Sequence, residues 1–181
     1  MPRIRRGLES QPRRMNQTLV DRLAQELKSE HDSGQPVIYE HVFPTQKVQV
    51  TVVWDDWDRL FSEDRTEIIL QAYEQAEGTQ RRAQIALASG LTVPEAYSAG
   101  MLPFQIITAL RKDDPVTLEQ CRQAMIAEGA STILAPDYPQ LRFATLEEAE
   151  AAMKRLIKRL PASDQVWAVT QEPGKVEDWL H

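Results

Sequence analysis

Phe104-Gln105-Ile106-Ile107-Thr108-Ala109-Leu110 alternates apolar and smaller or polar side chains, and the order of the segments after it decides the fold. A helix-period stretch runs next, from Thr117 to Glu128. Two short β-like runs come after it, Ser131 to Ala135 and Gln140 to Ala144. A long amphipathic stretch spans Leu146 to Leu160, and Val166-Trp167-Ala168-Val169 completes the series. Period two marks strands and period 3.6 marks helices, so the order reads strand, helix, strand, strand, helix, strand.

That order is the ferredoxin-like βαββαβ arrangement, expected over residues 103–172. Its last helix is the best determined. Leu146, Ala149, Ala152, Met153, Leu156, Ile157 and Leu160 form one stripe, Thr145 is the expected N-cap, and Pro161 ends it. Acids gather in its early turns and bases in its late ones, which suits the helix dipole.

Upstream, residues 16–100 read as a helix–β-hairpin–helices unit. A first helix is expected from Thr18 to Glu30 on the Leu19, Leu23, Leu27 stripe. Two alternating runs, Val37 to Phe43 and Val48 to Trp54, are joined by only Pro44-Thr45-Gln46, so an antiparallel hairpin is the natural pairing. Ser62 is the expected N-cap of a helix ending near Gly78. A further helix is expected from Gln80 to Ser89, stopping at Gly90. Thr92-Val93-Pro94-Glu95 has the spacing of a capping box and opens a short helix toward Ala99. The overall expectation is an α+β protein in which this unit packs on the ferredoxin-like one.

The chain has 181 residues, enough for one domain or two small ones. Apolar and charged fractions of 42% and 27% exclude a disordered or fibrous chain. No apolar run approaches the roughly 20 residues of a membrane span. The N-terminus lacks the apolar segment of a secretion signal. One cysteine, Cys121, permits no internal disulfide and no cysteine-based zinc site, and it falls on the stripe of Leu118 and Met125 as a buried thiol. A cytoplasmic location is the resulting expectation.

The formal charge of −6 is unevenly spread. Residues 1–15 form a basic arm with Arg3, Arg5, Arg6, Arg13 and Arg14 against Glu9 alone, which leaves about −10 for the rest. A body this acidic repels nucleic acid unless its basic groups share one face. Residues 173–181 are a short tail carrying Trp179 and Leu180.

Three classes of function remain to be weighed. The acidic patch Trp54-Asp55-Asp56-Trp57-Asp58 offers carboxylates to a hard cation. Its spacing lacks the glycine and terminal glutamate of a calcium loop, however, and Trp54 and Trp57 read as core residues beside Leu60 and Phe61. A hydrolase or metal-assisted enzyme would be centred on His41 with Asp55, Asp56 and Asp58. No serine or cysteine is identifiable as a nucleophile, and His31 and His181 are scattered. No metal site and no cofactor is assigned, and no glycine-rich phosphate loop is present.

Nucleic-acid binding would use the arm together with Arg81, Arg82, Arg111 and Lys112. The βαββαβ order is shared with RNA-recognition domains, which stack bases on strand aromatics. Here only Phe104 and Phe143 are candidates, and the glycine–aromatic signature is absent. A G-x-x-G clamp is missing at Gly78-Thr79-Gln80-Arg81. A helix-turn-helix over Ile85 to Ala99 would have a recognition helix with no lysine or arginine.

The strands of the second half are apolar on both faces: Phe104 and Ile106 against Ile107 and Ala109, Trp167 and Val169 against Val166 and Ala168. Such strands expect cover on both sides, from the N-terminal unit or a second copy. The leading expectation is therefore a non-catalytic protein-interaction or adaptor module with a protein partner, able to self-associate through a strand edge. No membrane association is expected.

Overall fold

The computed structural model describes residues 16–29 and 35–171. The basic arm with its five arginines, His31, His181 and the tail lie outside the described residues. The protein is mixed α+β, with six α-helices and two three-stranded sheets among those residues.

In the first half, α1 (Gln17–Glu26) precedes the hairpin of β1 (Val37–Val42) and β2 (Val48–Val53), antiparallel and in register from Val37↔Val53 to Val42↔Val48. A three-residue loop closes it: the Phe43 N–H donates to Lys47 O at 2.8 Å, and Gln46 takes φ 63°. This is the turn-plus-αL geometry expected of a three-residue hairpin loop.

Helix α2 (Ser62–Glu77) starts on the residue expected as its cap, one residue early. Phe61 is the N-cap, without a side-chain bond, and the Ser62 hydroxyl turns to Glu63 instead. Phe61 is exposed rather than in the core, while Trp54 and Trp57 are buried as expected.

The expected helix over Gln80–Ser89 is the main correction. Only α3 (Thr79–Gln84) is helical, and Ile85–Leu91 forms β3, parallel to β2. A short apolar run cannot be told from a buried helix by periodicity alone. The β2–α2–α3–β3 crossover makes β2 a central strand. Five of its six residues are buried, because α1 and α2 cover one face with Leu23, Ile69 and Tyr73, and a second layer covers the other. That second layer is α4 (Val93–Ser98), which brings Val93 and Ala96 onto Val53, Val37 and Tyr39, together with Leu102 and Ala144 from further along the chain.

In the second half, β4 (Phe104–Thr108) lies between β5 (Leu141–Phe143) and β6 (Trp167–Gln171), antiparallel to both. Helices α5 (Leu118–Ala127) and α6 (Leu146–Arg159) cover the face of Ile106, Leu141 and Trp167. Capping boxes at Thr92, Thr117 and Thr145 start α4, α5 and α6.

The expected strand Ser131–Ala135 does not form. Ser131 makes a single antiparallel bridge with Gln140, both bonds 2.8 Å. Beyond it the Tyr138 N–H is spent on Ala135 O in a turn, so it cannot donate across a ladder. Pro139, opposite Thr108 by register, has no N–H to give β4. Sheet pairing on this side of β4 thus ends at Ile106.

Candidate docking surface

The sequence-derived candidate residues fall into separate places. His41 is exposed near the hairpin end, edge-on to Phe43 with ring centroids 5.0 Å apart. It pairs with Gln49 in register, whereas Asp55 lies beyond the opposite end of β2. The strand from Gln49 to Val53, at about 3.3 Å per residue, holds them more than about 13 Å apart.

Each aspartate has its own structural task. The Asp55 carboxylate accepts the Val93 N–H at 3.2 Å and the Gln35 side-chain amide at 3.3 Å, and that amide also donates to Gly129 O at 3.1 Å. Asp55 therefore ties the start of α4 and the end of α5 together. Asp56 pairs with Arg22, whose guanidinium lies 4.9 Å over the Trp54 ring. Asp58 faces Arg59 at 3.4 Å on the surface. Among the described residues no group of three or more His, Cys, Asp or Glu is arranged to hold a metal ion.

The basic candidates are also engaged. Arg81 pairs with Glu40 and, at 3.3 Å, with Glu77. Arg82 pairs with Glu74 and, at 3.5 Å, with Glu67. Arg111 and Lys112 lie exposed in the loop after β4, where the Arg111 N–H donates to Asp114 at 2.5 Å. Arg65, near the start of α2, is buried and reaches Glu95 on α4 with two nitrogens, while donating to Leu60 O and Gly90 O, each at 3.0 Å.

Phe104 and Phe143 stand opposite each other in register, and Phe143 packs into the helix-covered core. The other face of this sheet carries Gln105, Ile107, Arg142, Ala168 and Thr170, with no aromatic ring among them. It is covered only in part: Arg142 stacks 3.6 Å over the Tyr97 ring of α4, while Ile107 and Ala109 are exposed. Within one chain and among the described residues the N-terminal half thus covers this face only in part, whereas β2 of the N-terminal sheet is covered on both faces.

What the sequence missed is a set of exposed apolar side chains in the second half. Leu118 (52% exposed), Ile126 (37%), Ile107 (37%), Leu134 (66%) and Tyr138 (69%) account for five of the nine large exposed hydrophobics among the described residues. Helical periodicity puts Leu118 on the buried stripe of Cys121 and Met125. Those two are buried, but Leu118 is the first residue of α5 and lies outside the packed turns. Leu118, Arg122 and Ile126 succeed one another at helical spacing along α5.

Three of these exposed side chains, Ile107, Leu118 and Tyr138, line a cleft of about 200 Å³ together with Ile106, Met125 and Arg122 among others. It sits where Pro139 ends the pairing of β4. Arg122 holds its α5 wall to the loop by donating to Pro136 O at 3.4 Å, and pairs with Glu119 at 2.8 Å. The Arg122 hydrogen bond, and that of Gln123, hold the Glu119 carboxyl down at about 2. Nearby, burial and then Asp114 push the Cys121 thiol above its usual value, so it stays protonated. Ligand sites for small molecules usually enclose about 300–1,000 Å³. This cleft is below that range and matches one or two protein side chains. A second depression, about 360 Å³ between α5 and Arg159–Leu160, is shallow and open to solvent.

Comparison of the chain with family models, curated protein sequences and solved structures finds no match. Among the described residues no helix is long and apolar enough to cross a membrane.

Proposed function

We propose that this chain is a non-catalytic protein-interaction module whose docking surface is the α5 side of its second half. The observation that carries this is the meeting of exposed Ile107, Leu118 and Tyr138 at a side-chain-sized cleft, with exposed Ile126 two helical turns along α5 from Leu118. Scattered exposed hydrophobics are ordinary, whereas a contiguous set with a polar rim marks an interaction site. The rim here is Arg122, Asp137 and Gln140.

The second half is read as a ferredoxin-like unit in which the second strand has shrunk to the Ser131–Gln140 bridge. The strand order β5-β4-β6, antiparallel throughout, supports this. Losing that strand is what opens the cleft: the chain that would have continued the sheet turns away at Pro136 to Pro139, and Leu134 and Tyr138 are left facing solvent. The partner supplies the missing apolar cover, with one large side chain in the cleft. The dispersed aspartates and the isolated His41 favour binding over hydrolysis, and the ion-paired Arg81 and Arg82 weaken the nucleic-acid reading.

The test compares proteins retained by the wild type, by Leu118→Asp and by Leu87→Asp, a control on the exposed β3 surface. A partner retained by wild type and Leu87→Asp but lost with Leu118→Asp supports the reading. Equal retention by all three, or turnover of a substrate abolished by one point substitution, removes it.

A further inference from the structure

We infer that the outer edge of β1 is a self-association surface, where a second copy of this chain adds its own β1 antiparallel to form one six-stranded sheet. This surface is separate from the α5 docking side and stands or falls independently of it.

The backbone directions fix which groups are on offer. The Phe43 N–H turns inward to Lys47 O, so alternation turns residues 37, 39 and 41 toward β2 as well. The N–H and C=O groups of Ile38, Glu40 and Val42 therefore point out of the sheet, and no hydrogen bond reaches them among the described residues. The opposite edge of the same sheet is treated differently. There the Leu91 C=O turns inward to the Trp54 N–H, leaving the carbonyls of Ala88 and Gly90 outward. Both are taken by α2: the Thr66 hydroxyl donates to Ala88 O at 3.1 Å and Arg65 donates to Gly90 O at 3.0 Å.

One edge is thus closed by side chains and the other is left regular. The β1–β2 register runs six pairs without a bulge, and β1 carries no lysine and no internal proline; its one acid, Glu40, is held by the Tyr73 hydroxyl and Arg81 and so is not left as a bare charge on the edge. Edges that stay unpaired in native proteins are blunted by such devices. Val42, 54% exposed at the open edge, has no cover among the described residues.

Charge complementarity selects a second copy as the occupant. With the two-fold axis at Glu40, the two Glu40 residues face each other, and like charges directly opposite are destabilising unless a cation intervenes. Arg81, on α3, pairs with Glu40 on the helix side of the sheet. Two copies thereby form an alternating ring of two Glu40 carboxylates and two Arg81 guanidiniums. In the same register Ile38 of one copy covers Val42 of the other. On the opposite face Tyr39 meets His41. An isologous contact of this kind needs a self-complementary surface, which these pairs provide.

The test is sedimentation of the full chain with hydrogen exchange on the same sample. The expected result is twice the 20.7 kDa of one chain at tens of micromolar, dissociating on dilution. The Ile38, Glu40 and Val42 amides should exchange about tenfold or more faster after dilution. Val42→Lys, an edge lysine on an exposed site, should halve the mass, and Leu87→Lys at the closed edge should leave it unchanged. A monomer with fast exchange overturns the proposal. So does a dimer indifferent to Val42→Lys or equally sensitive to Leu87→Lys. A monomer with these amides protected also overturns it, and assigns the edge to residues of the same chain outside the described ones.

Discussion

Gln46 occupies a left-handed backbone conformation, φ 63°, at the third position of the hairpin loop. Non-glycine residues are disfavoured there by roughly 1 kcal/mol or more. Gln46→Gly removes that cost while adding freedom to the unfolded chain, so a gain of a few tenths to about 1 kcal/mol is expected in urea unfolding. Gly90 is the opposite case. A Cβ built on it would stand 2.8 Å from Arg65 Cβ and 3.1 Å from the buried Trp57 ring. Gly90→Ala forces β3 away from α2 and should cost about 1–3 kcal/mol in urea unfolding. Glu95 answers to pH. Burial raises its carboxyl pKa, but the Arg65 guanidinium and the Thr92 N–H outweigh burial and hold it below 4.5. A depressed folded value means the stabilisation is whole above the ordinary carboxylate range and is lost as pH falls below it. Glu95→Gln should cost about 1–3 kcal/mol at neutral pH, less than a fully buried pair because the Glu95 side chain is half exposed. Its Tm difference from wild type should shrink on acidification.

At the scale of elements, the start of α5 matters most, because its first residue, Leu118, belongs to the proposed docking surface. The Thr117 hydroxyl accepts the Gln120 N–H at 3.2 Å, and the Gln120 side chain accepts the Thr117 N–H at 2.8 Å. Thr117→Ala should cost about 1 kcal/mol in thermal unfolding and loosen Leu118 along with the first turn. Capping boxes are local in sequence, and that at Thr92 is legible from its four residues alone. So are the hairpin, with its three-residue link, and α6, with its single unbroken stripe. β3 is not legible from its own residues, since Ile85-Ala86-Leu87-Ala88-Ser89 fits either period. Its neighbour gives little more. Val48, Val50 and Val52 alternate with Gln49 and Thr51 as a half-exposed hairpin strand would, and only Val53 departs from the pattern, so the central place of β2 is set by the crossover that returns β3 beside it. The strand expected at Ser131–Ala135 fails for a reason also outside that segment, in Pro136 and Pro139, which commit the returning chain to a turn.

Across the whole molecule, the two halves are joined by polar and apolar contacts together. Gln35 bridges Asp55 and Gly129, Arg142 lies over Tyr97, and Ala144 packs beside Tyr39, whose hydroxyl burial and then Glu148 push up to about 12. Glu128, buried at the end of α5, accepts from Arg155 at 2.9 Å and Arg159 at 3.1 Å and so fixes α5 to α6. The proposed docking surface is illegible in the sequence because exposure depends on a strand that fails to form, and no residue pattern marks Leu118 as different from Met125. The most direct test places a photo-crosslinking phenylalanine derivative at Tyr138 in cells that make the protein. The account predicts a discrete protein adduct there, absent when the same probe sits at Leu87 and lost when Leu118→Asp is added. No adduct at position 138, or the same adduct from position 87, would contradict it.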